Sequence, residues 1–168
     1  WFWYREGYAL DLVSELVAEL PRGSLVLDPF CGAGTTLVAA KEKNLPSVGF
    51  DVNPISILVS RVKTTRLIAD EIKLVRRALN DFESLSLKSA ADPKPALSII
   101  DKVFDANVLK ALLVFRRAIN ELSNARVRDF LFVAWLSILE GVSNVYKEGN
   151  GIKYKNRKRT DEGYITVD

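Results

Sequence analysis

The sequence predicts an α/β fold: an incomplete parallel sheet joined to a large helical insertion. Three observations carry this. A short apolar run, Leu25-Val26-Leu27, ends at Asp28 and passes through a glycine turn into an apolar-periodic run, Leu37-Val38-Ala39-Ala40. A second short strand, Ser47 to Asp51, follows one helix later, and strand–helix–strand units of this length close as right-handed parallel crossovers. After Asn53-Pro54 the pattern turns helical for most of the remaining chain.

Taken in order, residues 8–20 place Leu12, Leu16 and Leu20 four apart with Val13 and Val17 beside them. This is an amphipathic helix, stopped by Pro21-Arg22-Gly23. Ser24 to Asp28 is the first strand, apolar throughout, as expected for a strand covered on both faces. Thr35 to Lys43 is a helix ended by Asn44-Leu45-Pro46, and Ser47 to Asp51 is the second strand. Ile68, Ile72, Val75, Leu79 and Phe82 mark one further helix, and Val108, Leu112, Phe115, Ile119 and Leu122 another. Val127 to Val142 is apolar almost all round, which predicts a central buried helix. Residues 88–96, KSAADPKPA, read as a linker. Tyr164 to Asp168 reads as a third strand. The expected organisation is an α/β unit over 1–60, a helical insertion over 61–145, and a basic loop with the third strand over 146–168. Such sheets usually have about five or six strands, so the sheet is short for its class.

The chain has 168 residues, 48% of them hydrophobic, enough for one domain with a core. No apolar stretch reaches the roughly 20 residues that span a bilayer, and the N-terminus lacks a signal-peptide pattern. Trp1 is not a natural start and the chain has no Met, so the true N-terminus is expected to be missing. One Cys and no His exclude a structural zinc site, a Ser-His-Asp or Cys-His pair and a disulfide framework. This suits a cytoplasmic protein. Net charge is +3, but residues 147–159 alone carry six Lys/Arg against one Glu, leaving the rest net acidic.

The segment Asp28-Pro29-Phe30-Cys31-Gly32-Ala33-Gly34-Thr35-Thr36 carries the chemistry. Two glycines let backbone approach a ligand where a Cβ would collide. The helix start beyond them offers unpaired N–H groups to an anionic group. Carboxylates stand at both strand ends, Asp28 and Asp51. The arrangement suits a nucleoside-containing cofactor. A P-loop fails because no Lys follows Gly34, and the dinucleotide fingerprint places Leu37 where a third Gly or Ala belongs.

The string Leu27 to Thr36 resembles the cofactor motif of S-adenosylmethionine-dependent DNA amino-methyltransferases, which make N6-methyladenine or N4-methylcytosine. Val48-Gly49-Phe50-Asp51-Val52-Asn53-Pro54 is similar to their next motif at the expected spacing. The resemblance covers roughly residues 8–60. It implies a Rossmann-like methyltransferase fold, S-adenosylmethionine as cofactor and DNA as partner. It implies a cofactor site of Asp28, Pro29, Phe30, Cys31, Gly32, Ala33, Gly34, Thr35, Asp51, Val52 and Asn53. The Phe30–Gly34 turn would wrap the methionine part, with Asp28 near its ammonium group. Asp51 would accept hydrogen bonds from both ribose hydroxyls, and Val52 would pack on adenine. Helix 8–20 and the residues before it would correspond to the family's segment that closes the methionine pocket. Cys31 reads as a small buried turn residue and not as the nucleophile of cytosine-C5 methylation, a family whose cofactor motif has a bulky apolar residue at Pro29.

A second family motif, [Asp/Asn/Ser]-Pro-Pro-[Tyr/Phe/Trp], would hold the target amino group and stack on the flipped-out base. The chain has six prolines, no two adjacent, so no catalytic residue is assigned here. Three explanations compete. The catalytic motif lies beyond Asp168 or on a second polypeptide, which is favoured. Or the chain is a degenerate, non-catalytic binding subunit. Or it acts on RNA with other residues.

The basic segment sets Lys153, Tyr154, Lys155, Arg157, Lys158 and Arg159 behind Gly149 and Gly151. A flexible cationic loop can neutralise phosphates, and Tyr154 can stack on a base. A solvated surface loop is the alternative. Trp1, Phe2, Trp3 and Tyr4 read as a hydrophobic flap over the core. The helices at 66–86 and 105–142 read as packing elements, with target recognition or dimerisation left open.

Overall fold

The computed structural model describes residues 7–148, 151–155, 157–159 and 165–167, the last two segments by backbone alone. The expected aromatic flap of Trp1 to Tyr4 lies outside the described residues, as do Tyr164 and Asp168 of the expected last strand. Helix α1 (Leu10–Ala18) leads to strand β1 (Val26–Asp28), then α2 (Thr35–Glu42) and β2 (Ser47–Gly49). The strands are parallel, with Val26 opposite Ser47, Leu27 opposite Val48 and Asp28 opposite Gly49. This is the expected crossover. Its reversal after α2 uses Asn44 at φ 56°, one of the few non-glycine residues that tolerate the left-handed region.

One face of this pair is the first core: Val13, Val17, Val26, Ala39, Ala40 and Leu45 are buried together. Ala39 and Ala40 lie where α1 and α2 cross closely. The other face is open, which corrects the expectation of a strand covered on both sides. Leu25 and Leu27 are 64% and 62% exposed, and Val48 and Phe50 are exposed beside them. Leu12, Leu16 and Leu20 also face outward, while Val13 and Val17 make the packing contact.

The helical part begins with α3 (Pro54–Thr64), whose Asn53 cap accepts from Ile55 N at 2.9 Å and whose Pro54 takes the first helical position. It continues through α4 (Ala69–Glu83), α5 (Ile100–Val103), α6 (Ala106–Asn120) and α7 (Ala125–Val142). Helix α7 joins the two halves. Its Val133 packs with Val59 and Val62 of α3 and with Ala33 of the glycine turn. Its Val127 and Leu131 pack with Ala78 and Ile119. Only the first half of α7 is central, since Ile138 and Val142 are exposed. Buried Glu71 ties α4 to α7, accepting from Ile68 N at 2.9 Å and pairing with Arg126 at 3.2 Å. The expected linker runs pinned along α6: the Asp92 carboxylate accepts from Arg116 Nε at 2.6 Å and Asn120 Nδ2 at 3.1 Å.

Strand β3 (Val145–Glu148) pairs antiparallel with β4 (Gly151–Tyr154), and β5 (Arg157–Arg159) pairs antiparallel with β6 (Ile165–Val167). The described part of the basic segment is therefore ribbon where a loop is expected. The third strand pairs with β5 and does not extend the parallel sheet. Among the described residues no helix is long and apolar enough to cross a membrane.

Candidate cofactor site

The glycine turn is tied to the end of β2 by continuing the parallel ladder past both strands. Phe50 N donates to Asp28 O at 2.9 Å, and Cys31 N donates to Phe50 O at 2.8 Å. Gly34 N closes the turn on Cys31 O at 2.7 Å. Gly32 and Gly34 have φ of 48° and 81°, left-handed values that favour glycine. Gly34 has a second reason to be glycine. A Cβ there would lie 2.6 Å from Ser60 Cβ, so the turn seats directly on α3. Gly49 is similarly enclosed, with a Cβ falling 2.8 Å from Leu37 Cδ1 and 2.9 Å from Cys31 Cβ.

Two carboxylates bracket this turn. Asp28 is buried, accepting from Phe30 N at 3.0 Å and from the Tyr8 hydroxyl at 3.3 Å. The Tyr8 hydroxyl also lies 3.2 Å from Thr36 Oγ1, so the segment before α1 is latched to the start of α2. Asp51 spans two loops: Oδ2 accepts from Gly32 N at 2.9 Å and Oδ1 from Asn53 N at 2.7 Å. A carboxylate has about four lone-pair sites, so each oxygen keeps one for a ligand donor. Beside the carboxylates, Phe30 is 84% exposed and Val52 fully exposed, offering apolar surface where a planar ring can lie. At the head of α2, Gly34 supplies no capping side chain, so no side chain competes for the first-turn N–H groups. Cys31 is buried, and desolvation pushes its thiol above the ordinary value of 9.0, opposed by a hydrogen bond with Ser60 and reinforced by Asp28 and Asp51. It fills space under the turn.

The structure thus gathers Asp28 through Thr35 with Asp51, Val52 and Asn53 around one turn. Tyr8 and Ser60 join them and were not singled out from sequence. Tyr8 stands in the poorly patterned stretch before α1, and Ser60 declares itself only through its approach to Gly34.

The basic segment is arranged differently. The Lys155 ammonium donates to Glu140 O at 3.0 Å and Gly141 O at 3.1 Å, capping α7. Lys153 is ion-paired with Glu148, and Tyr154 is half-buried. Of Arg157, Lys158 and Arg159 the backbone alone is described, and their side chains lie outside the described residues.

Comparison with known proteins meets this geometry at the same residues. A family described as DNA methylase matches residues 10–59, which run from α1 through the turn to α3. Over 97% of its length the chain is 28% identical to the type II methyltransferase M.BsoBI of Geobacillus stearothermophilus, covering 34% of that protein. The chain is similar to type II methyltransferases over most of its own length. It is 29% identical to M.AvaI of Nostoc sp. (strain PCC 7120 / SAG 25.82 / UTEX 2576), with 94% of this chain aligned to 33% of that one. It is 28% identical to M.MvaI of Kocuria varians, with 80% aligned to 30%. The chain spans about a third of the length of these relatives. The likeness extends through the helices and beyond the cofactor motif. No solved structure matches the chain.

Proposed function

We propose that this chain is the S-adenosylmethionine-binding portion of a DNA methyltransferase acting on an exocyclic amino group of adenine or cytosine. The observation that carries it is the Asp51 carboxylate. It spans the glycine turn and the Asn53 loop with a lone pair left on each oxygen, within the segment that matches DNA methylases. Asp51 takes the two ribose hydroxyls. Val52 and Phe30 flank the adenine ring. Asp28 neutralises the methionine ammonium, held in place by Tyr8, and the Phe30–Gly34 backbone lines the chain between them. The cofactor supplies an electrophilic methyl group, and the chain's own groups bind and orient it. The Pro-Pro motif for the target base is absent from this sequence. The amino-group acceptor site therefore belongs to another part of the enzyme, on the same polypeptide or a second one. Arg157, Lys158 and Arg159 supply sequence-independent phosphate contacts on the DNA.

Calorimetric titration with S-adenosylmethionine tests this reading. The chain is expected to bind one equivalent, and Asp51→Ala to weaken binding by about 1.5–3 kcal/mol, the range for charge-assisted hydrogen bonds. A folded chain that takes up no cofactor overturns the proposal.

A further inference from the structure

The C-terminal end of α7, the end of α5 and the β3–β4 hairpin enclose a groove of about 400 Å³, within the range of ordinary ligand pockets. Its walls are mainly apolar and include Phe104, Leu139, Val145, Tyr146 and Ile152. Lys147 also lines it, directly opposite Ile152 in the hairpin register. Backbone joins these walls: Asn144 N donates to Val103 O at 2.7 Å, and the hydroxyl of buried Ser143 lies 2.9 Å from both Glu140 O and Val145 O. The position of the groove follows from the direction of α7. Arg126 donates to Arg66 O, Asp129 pairs with Arg61 at 3.6 Å, and Val133 packs on Val59. Helix α7 therefore runs antiparallel to α3, and its end points to the side where α3 begins, beside Asp51 and Asn53. Val133 also touches Ala33 of the glycine turn. Leu139 lies about 9 Å further along the helix, some two to three base steps of a stacked strand at about 3.4 Å each.

We propose that this groove receives one unstacked nucleobase of the DNA, a neighbour of the base that is methylated. This rests on the methyltransferase reading and adds a base contact to the phosphate contacts assigned to β5. Charge decides the occupant. The hairpin that walls the groove belongs to residues 147–159, which carry six Lys/Arg against one Glu. An apolar protein segment has no use for those cations, whereas a nucleotide needs an apolar slot for its ring and cations for its phosphate. Tyr146 and Ile152 are 38% and 64% exposed, so both have surface to offer a ring. Stacking of this kind tolerates any base, since every base has a π-face. Extruding the target base costs stacking with its neighbours, and a neighbour that stacks on Tyr146 offsets part of that cost.

Fluorescence anisotropy with two tagged single strands tests the assignment: a short thymidine oligonucleotide and an abasic oligonucleotide of the same length. The chain is expected to bind the base-bearing strand at least about 5-fold more tightly, the lower bound for one stacked base. Tyr146→Ala and Ile152→Ser, both at exposed positions, should each remove most of that preference and leave affinity for the abasic strand unchanged. Replacing Arg157, Lys158 and Arg159 by Ala should weaken both strands alike and keep the preference. Equal affinity for the two strands overturns the proposal, as does a preference that survives both groove variants. Sedimentation of the same variants covers the other occupant: groove substitutions that leave strand binding alone but abolish a concentration-dependent self-association overturn it in favour of a second copy. Cofactor titration is read separately. A chain that binds S-adenosylmethionine and shows no base preference refutes the groove assignment and spares the cofactor reading.

Discussion

At Gly34 backbone conformation and packing demand the same residue. Its φ of 81° disfavours any side chain, and the space a Cβ needs is held by the Cβ and backbone Cα of Ser60, at 2.6 and 2.9 Å. Backbone atoms cannot swing away as a flexible side chain can. Gly34→Ala is therefore expected to cost about 2–4 kcal/mol, combining left-handed strain with overpacking. Thermal unfolding followed by circular dichroism checks it, and an unchanged Tm would mean that α3 yields easily. Cys31, beneath the same turn, makes a pH-dependent prediction. Burial raises its folded pKa above the ordinary 9.0, so the native state favours the neutral thiol. That contribution is fully present below the ordinary pKa and is lost as pH rises through the folded value. Two outcomes are expected. Iodoacetamide should modify the native chain more slowly than the urea-unfolded chain at about pH 8, and Tm should fall less steeply above about pH 9 in Cys31→Ala than in the parent.

Helix α7 shows how an element is held at both ends by residues of different origin. Its start is capped locally: Asn124 Oδ1 accepts from Arg126 N and Val127 N, each at 3.0 Å. Its end is capped from a distance by Lys155, fifteen residues past Glu140 in sequence. Asn124→Ala should cost about 1 kcal/mol and Lys155→Met about 0.3–1 kcal/mol. The helix has 18 residues and so is about 27 Å long, which keeps the two sites independent. Their effects on urea unfolding should add, and strong coupling between them would contradict rigid helix capping. The contrast marks what could be read in advance. The glycine turn, both parallel strands and the helix that follows the turn were legible because their signals are local: glycines and short apolar runs. The contact of Lys155 with the end of α7 was not legible, because a charge run looks the same whether it faces solvent or a helix terminus. Leu12, Leu16, Leu25 and Leu27 kept their apolar pattern but not the expected burial, since a pattern records that a face is meant to be covered and not what covers it. The antiparallel pairing of β6 with β5 was not legible either, because a three-residue strand specifies no partner.

Across the whole molecule charge is divided: residues 147–159 are strongly cationic and the remainder is net acidic. On the proposed DNA-binding role, phosphate contacts are to be sought in this segment. Lys153 is neutralised by Glu148 and Lys155 is spent on the end of α7. Of the six cations in the segment, Arg157, Lys158 and Arg159 are the group to test. Each phosphate contact releases counterions and contributes about 0.9 to the slope of log K against log salt on B-form DNA. Replacing all three by Ala should lower the slope by about 0.9 for every one that touches phosphate, with affinity falling alike on random-sequence and target duplexes. Lys155→Met should leave the slope unchanged while lowering Tm, because its ammonium serves the helix. Fluorescence anisotropy over a salt series separates the two. A slope that responds to Lys155→Met and not to the triple variant would move the DNA contact away from β5 and onto the β3–β4 hairpin.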